Sequence, residues 1–252
     1  MTLFGNLSPE PEKMNYPEDS LQKFLEDDQW WVPYDDNEIV RGMLIKCFVP
    51  HIEEIPYTLH PKRADHNDHG TAEAEIVQLT VKGAVYNSTL PVAAMPLLPG
   101  EVWAAYRAKK RPCLVLGSPS LPVNRSLTKG MPNRHTSPTL LVAPYYGIDR
   151  STGRSGYKSD FVTSVRHCTV PQFVWDKLPI GGSSKESILR LDQLHAVGNH
   201  YKTIEKTGFK LSEEALEVHD ELFNWHKYGT LESESVVGLY KQLLTEGLPD
   251  ST

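Results

Sequence analysis

Between residues 41 and 197 every apolar run of the chain is short, and proline or glycine punctuates most of them. That pattern limits the fold, because short runs with period-2 alternation bury one face only and need neighbouring strands to form a core. Arg41 to Val49 is one such run, ended by Pro50. Ala74 to Val85 alternates through Ile76, Leu79 and Val81. Gly100 to Tyr106 follows Pro99, and Cys113 to Leu116 follows Arg111 and Pro112 and stops at Gly117. Proline suits the first position of a strand, where no ladder donor is needed. Thr139 to Ala143 ends at Pro144; Asp160 to Thr169 alternates around Phe161, Val162 and Val165; Phe173, Val174, Lys177 and Leu178 lead to Glu186 to Val197. Helical spacing follows. Leu211, Ala215, Val218, Leu222 and Trp225 form one stripe after a capping Ser212, and Lys227 and Gly229 end it. A last helix over about Glu232 to Glu246 carries Val236, Val237, Leu239, Tyr240, Leu243 and Leu244. Short strands with long loops, then helices, predict an α+β fold, mainly β, of the small-barrel kind.

The connections carry most of the polar chemistry. Residues 1–17 read as a loose arm, and Asp19 or Ser20 can cap a short helix to about Asp28 with Leu21, Phe24 and Leu25 on one face. Trp30 and Trp31 come next; a tryptophan pair plugs a core or docks on a surface, and the core is the commoner use. Residues 50–72 read as a long loop. It holds His60 and the run Asp65, His66, Asn67, Asp68, His69, which offers metal ligands without a fixed spacing and equally suits a polar turn before Gly70. Residues 118–138 and 149–160 read as further exposed loops, and 107–110 as a short basic connection.

Charge is divided unevenly. The chain carries a net −6, yet residues 1–40 hold ten acids against Lys13 and Lys23, while residues 101–170 hold eleven bases against Glu101, Asp149 and Asp160. A basic segment points to nucleic acid, or is a solvated surface. No apolar run approaches the roughly 18 residues of a membrane span. Cys47, Cys113 and Cys168 are odd in number and widely spaced, which fits neither a disulfide framework nor a zinc site. A reducing, cytoplasmic setting is the expectation, with no cofactor and no metal.

Within Glu186 to Val197, read as one strand, Arg190 and Asp192 are two residues apart and would share a face. A carboxylate that can take a proton from a hydroxyl, beside a guanidinium that can hold phosphoryl oxygens, makes a phosphodiester site. The same pair also serves as a plain ion pair on a half-exposed strand.

Taken in order, Gly100 to Trp103, Arg111 to Leu116, Leu140 to Ala143 and Ser187 to Leu194 before a C-terminal helix resemble the MazF/PemK/Kid toxins of type II toxin–antitoxin systems, over residues 99–227 or so. The resemblance implies an SH3-like small β-barrel with C-terminal helices, here preceded by an N-terminal extension. The corresponding division is an acidic arm and helix at 1–40, a β extension packed on the barrel at 41–98, the barrel and helix at 99–229, and a last helix at 230–252. It implies metal-independent cleavage of single-stranded RNA by the 2′-hydroxyl, leaving a 2′,3′-cyclic phosphate, in a growth inhibitor or defence effector. Arg190 and Asp192 fall on catalytic positions of the Kid branch and Arg111 on one of the MazF branch. On that reading Asp192 is the base, Arg111 and Arg190 stabilise charge, and Arg107, Lys109, Lys110, Tyr146, Arg150, Arg154 and Gln193 contact substrate. His135, His167 and His195 lie near enough in sequence to be weighed as the acid. Tyr146 stands where the MazF branch has a threonine, and the 107–110 connection is shorter than the family's. A homodimer, and a small acidic antitoxin or the acidic N-terminal segment laid over the basic groove, complete the implied picture. The alternative is a barrel that binds RNA, DNA or a protein without cleaving.

Overall fold

The computed structural model describes residues 14–25, 29–63, 65, 67–68, 70–81, 100–117, 139–148, 156–180 and 185–246. It divides into two compact units, residues 1–47 with 111–252, and residues 48–110. The segment 41–98 is thus divided between them, residues 41–47 in the large unit and the rest in the smaller one, which runs on to Lys110.

The architecture is α+β and mainly β, with antiparallel pairing. The large sheet contains β1 (Trp31–Pro33), β2 (Met43–Pro50), β6 (Ala108–Gly117), β7 (Thr139–Gly147), β8 (Phe173–Leu178), β9 (Lys185–Arg190), β10 (His195–Gly198) and β11 (Ile204–Leu211). Its order is β1-β11-β2-β6-β7-β9-β8, with β10 also on β7. The path is open, but side chains bridge its two ends: Trp31 Nε1 on β1 donates to the Lys177 carbonyl on β8 at 3.1 Å. The small unit holds β3 (Tyr57–Arg63), β4 (Ala72–Gln78) and β5 (Trp103–Ala105), ordered β4-β3-β5.

Among the described residues four helices accompany the sheets, α1 (Leu21–Phe24), α2 (Ser159–Arg166), α3 (Glu213–Tyr228) and α4 (Val236–Glu246). Ser20 caps α1 and Ser212 caps α3 through their hydroxyls, which satisfies N–H groups left without helical partners. Gly229 ends α3 at φ 74°, in the left-handed region. The first amides of α4 are held by the Glu221 carboxylate of α3, from Val236 N at 3.3 Å and Val237 N at 3.0 Å. That contact begins α4 four residues later than expected and fastens the two helices together.

Several sequence expectations need correction. The stretch read as a strand over Asp160 to Thr169 holds the helix Ser159–Arg166 instead; Phe161, Val162 and Val165 read as alternation but also fit one helical face, on which Val162 and Val165 are buried. His60 lies on β3, not in a loop. Residues 108–110 open β6 and are not a connection, because the strand starts before Pro112. Strand β11 carried no recognised signal, since its residues from Glu205 to Lys210 alternate weakly. In the Asp65 to His69 run, Asp65 Oδ1 accepts from Asn67 N at 2.9 Å and Asp68 Oδ1 from Gly70 N at 2.7 Å; both are polar turns.

The core of the large unit gathers Trp30, Trp31, Leu44, Leu114, Tyr145, Leu189 and, from the helices, Val218, Leu222 and Val237. Trp30 and Trp31 therefore fill the core. They also enclose Asp176 of β8, which is completely buried. Its carboxylate accepts from Trp30 Nε1 at 3.4 Å, Trp31 Nε1 at 3.3 Å and the Tyr145 hydroxyl at 3.2 Å. Burial pushes this carboxyl up to about 7 despite those donors. Asp19 ties the N-terminal segment to α2, accepting from Arg166 at 2.6 Å and lying 2.9 Å from His167 Nε2.

Candidate functional site

The chain from Glu186 to Val197 is not one strand. It is β9 and β10 on the same edge of β7, with Leu191 to Gln193 in a turn between them. Leu189 pairs with Tyr145 and His195 with Val142. Five residues thus lie opposite Ala143 and Pro144, so three are in excess and must leave the ladder. Pro144 has no N–H to hold them in it. The excursion carries Asp192 and Gln193 off the sheet beside the last strand residue, Arg190. Asp192 therefore faces Arg190 by virtue of the turn and not of strand alternation. Arg190 Nε and one terminal guanidinium nitrogen donate to the two Asp192 oxygens, both at 2.6 Å. Their side chains keep 20% and 31% of their surface in solvent, so the pair is partly open. The bond from Asp192 holds the Arg190 guanidinium even further above its ordinary range.

Sheet geometry brings the other expected residues to this pair. Cys113 is opposite Pro144, so two residues further along each strand Arg111 meets Tyr146. The Arg111 guanidinium carbon stands 3.9 Å from the centre of the Tyr146 ring. Arg190 lies against the same ring at 5.6 Å and against Phe173, its pairing partner on β8, at 4.9 Å. The Tyr146 hydroxyl donates to Gln193 Oε1. Phe173 meets Phe161 of α2 edge-on at 5.3 Å, and Phe161 stacks on Tyr157 at 5.1 Å. The result is a row in which rings and guanidinium groups alternate from Phe173 through Arg190 and Tyr146 to Arg111, with Phe161 behind Phe173. A guanidinium on an aromatic face is attracted by the ring quadrupole and still presents its N–H edge to an anion.

Thus Arg111, Tyr146, Arg190, Asp192 and Gln193 form one cluster. Arg107, Lys109 and Lys110 belong to the small unit, where Arg107 forms an ion pair with Glu54 and the two lysines are exposed. Arg150, Arg154 and His135 lie outside the described residues. His167 is engaged with Asp19. His195 sits on β10 with its Nε2 buried and without a hydrogen-bond partner among the described residues, and burial lowers its pKa. Sequence reasoning missed Phe161 and Phe173, which join the cluster through α2 packing and through register.

Other groups could hold an ion. His51, Glu53 and Glu54 each bring one ligand atom within 4.8 Å of the others. His51 Nδ1 is already 3.1 Å from Glu53 Oε1, and Arg107 already occupies Glu54, so a metal would have to displace both contacts. Among the described residues no helix is long and apolar enough to cross a membrane. Neither a scan of protein-family models nor a search of curated proteins finds a match to this chain.

Proposed function

We propose that the chain is a single-stranded RNA endonuclease of the MazF/PemK/Kid kind, acting at the Arg111–Tyr146–Arg190–Asp192 cluster. The observation that carries this reading is the coincidence in one cluster of a carboxylate, two guanidinium groups and a half-buried aromatic row. The row suits splayed bases, which stack on aromatic and guanidinium planes. A phosphodiester entering beside it competes with Asp192 for Arg190. When Arg190 turns to the phosphate, an Asp192 oxygen is released to take the 2′-hydroxyl proton. The 2′-oxygen attacks phosphorus, the P–O5′ bond breaks, and the arginines hold the negative charge that develops. The Tyr146 hydroxyl supplies the proton to the leaving 5′-oxygen and is reprotonated by solvent. The products are a 2′,3′-cyclic phosphate and a 5′-hydroxyl.

An SH3-like barrel is part of the proposal. Its support is the Trp31–Lys177 bridge between β1 and β8, the two ends of the sheet path. A cytoplasmic setting, a homodimer and a small acidic antitoxin belong to the same reading.

A second reading has its own observation. Both Asp192 oxygens accept from Arg190, an arrangement that equally suits a non-catalytic site whose pair only shapes the turn. Incubation of the protein with labelled single-stranded RNA in EDTA separates the two. Cyclic-phosphate ends that disappear with Asp192→Asn support cleavage; RNA binding without products, unchanged in the variant, supports the binding module.

A further inference from the structure

Two cysteines from strands far apart in sequence meet inside the large unit. Cys47 on β2 and Cys113 on β6 have their sulfur atoms 3.5 Å apart, within S–H···S hydrogen-bonding distance, and both are free thiols. Cys113 has no solvent exposure and Cys47 keeps 3%. A disulfide needs about 2.05 Å between sulfurs, so closing the gap takes a shift of roughly 1.5 Å, which two χ1 rotations and a small strand adjustment can share. The sulfurs are not equivalent. A thiolate on Cys47 accepts a hydrogen bond from the Cys113 thiol, which draws Cys47 below the ordinary thiol range; that bond and burial push Cys113 up. Of the two residues, Cys47 is the one that keeps any solvent exposure.

We propose that Cys47 and Cys113 are a reversible redox site, oxidised by a peroxide to a disulfide that links β2 to β6. The Cys47 thiolate attacks one oxygen of hydrogen peroxide; the O–O bond breaks and hydroxide leaves, taking a proton to become water. The sulfenic acid on Cys47 is then attacked by the Cys113 sulfur. The S–O bond breaks, the Cys113 proton goes to the departing hydroxide, and a second water is released. In balance, two thiols and one hydrogen peroxide give one disulfide and two waters. A dithiol reductant reverses it by exchange. The consequence lies close by. Cys113 is two residues from Arg111 on the same strand face, and its sulfur is 3.6 Å from the Arg111 carbonyl oxygen. Drawing β6 toward β2 therefore moves the residue that covers the Tyr146 ring. The proposal stands whether or not the cluster cleaves RNA.

Cys168 provides an internal control, since it is buried alone and its thiol is pushed up to about 12 by burial. The full chain is treated with hydrogen peroxide, alkylated and digested without reduction. The expected product is a cross-linked Cys47–Cys113 peptide pair that is 2 Da lighter than the sum of its thiols. It forms roughly tenfold faster or more than Cys168 is lost and disappears with dithiothreitol. Cys47→Ser and Cys113→Ser each abolish it; Cys113→Ala replaces Cys113→Ser if the buried hydroxyl prevents folding. In nitrogen-15 NMR the Arg111 Nε resonance, placed by the ring current of Tyr146, moves on oxidation and returns on reduction. Recovery of Cys47 and Cys113 as separate thiols or sulfinic acids at the rate of Cys168 overturns the redox site. A disulfide that leaves Arg111 Nε unmoved overturns its coupling to β6.

Discussion

Replacing Asp176 by Asn should remove a loss of stability that wild type suffers as pH rises. In the folded chain burial holds this carboxyl at about 7, against 3.8 for an ordinary aspartate. Over that window the folded state keeps a proton that the unfolded state has lost. Stability therefore falls as pH rises from about 4 to about 7, at ~1.4 kcal/mol for each pH unit. Between pH 5 and pH 8 the loss attributable to Asp176 is roughly 3 kcal/mol. Asn keeps the shape and an acceptor for the indole N–H groups but has no proton to lose. His219 titrates too, because burial holds it down to about 4, and stability lost there on acidification is common to both proteins. The useful quantity is therefore the difference between wild type and Asp176→Asn, from urea unfolding followed by tryptophan fluorescence at pH 5 and pH 8. From pH 5 to pH 8 the stability of the variant relative to wild type should rise by roughly 3 kcal/mol. Parallel pH profiles would refute the buried-carboxyl account and imply that the site is wet or that Asp176 is ionised throughout.

Gly238→Ala should destabilise α4, because a Cβ there would lie 2.3 Å from the Glu232 carbonyl oxygen and 2.8 Å from that of Ser233. A cost of about 1–3 kcal/mol is expected from such overpacking, read as an earlier unfolding midpoint; an unchanged midpoint would mean that the 232–235 turn yields freely. At Tyr146 two substitutions should part company. Tyr146→Phe keeps the ring that Arg111 and Arg190 cover and should leave RNA affinity near wild type while reducing cleavage. Tyr146→Leu removes the ring and should weaken binding by about 1–3 kcal/mol in a fluorescence anisotropy titration. Equal loss of binding in both variants would contradict the stacking role.

The parts of the fold legible in the sequence are those fixed by local chemistry. Ser212 and Gly229 bounded α3 because a hydroxyl cap and a left-handed glycine act over a few residues. The strand at 43–50 was visible because an apolar run ended by proline has few other uses, whereas of β7 only Thr139 to Ala143 was visible, since the strand runs on through Pro144 to Gly147. Elements defined by their partners were not. β11 is polar at Glu205, Lys206 and Lys210 and is a strand because β1 and β2 pair with it on either side. α2 was misread since three apolar residues in ten satisfy two periods. For the site, residue types pointed to Arg190, Asp192, Arg111 and Tyr146, but the reason they meet is tertiary. The expected shared strand face of Arg190 and Asp192 gave way to a three-residue excursion opposite Pro144. Phe173 entered the cluster only through its register with Arg190.

In the proposed mechanism Asp192 removes a proton from RNA when Arg190 turns to the phosphate. Single-turnover cleavage of a labelled single-stranded RNA in EDTA, measured beside binding for wild type and Asp192→Asn, tests it most directly. Wild type should give cyclic-phosphate products, the variant a rate lower by roughly 100- to 10,000-fold, and both should bind the RNA. RNA bound by both proteins and cut by neither, or cut equally by both, would contradict it.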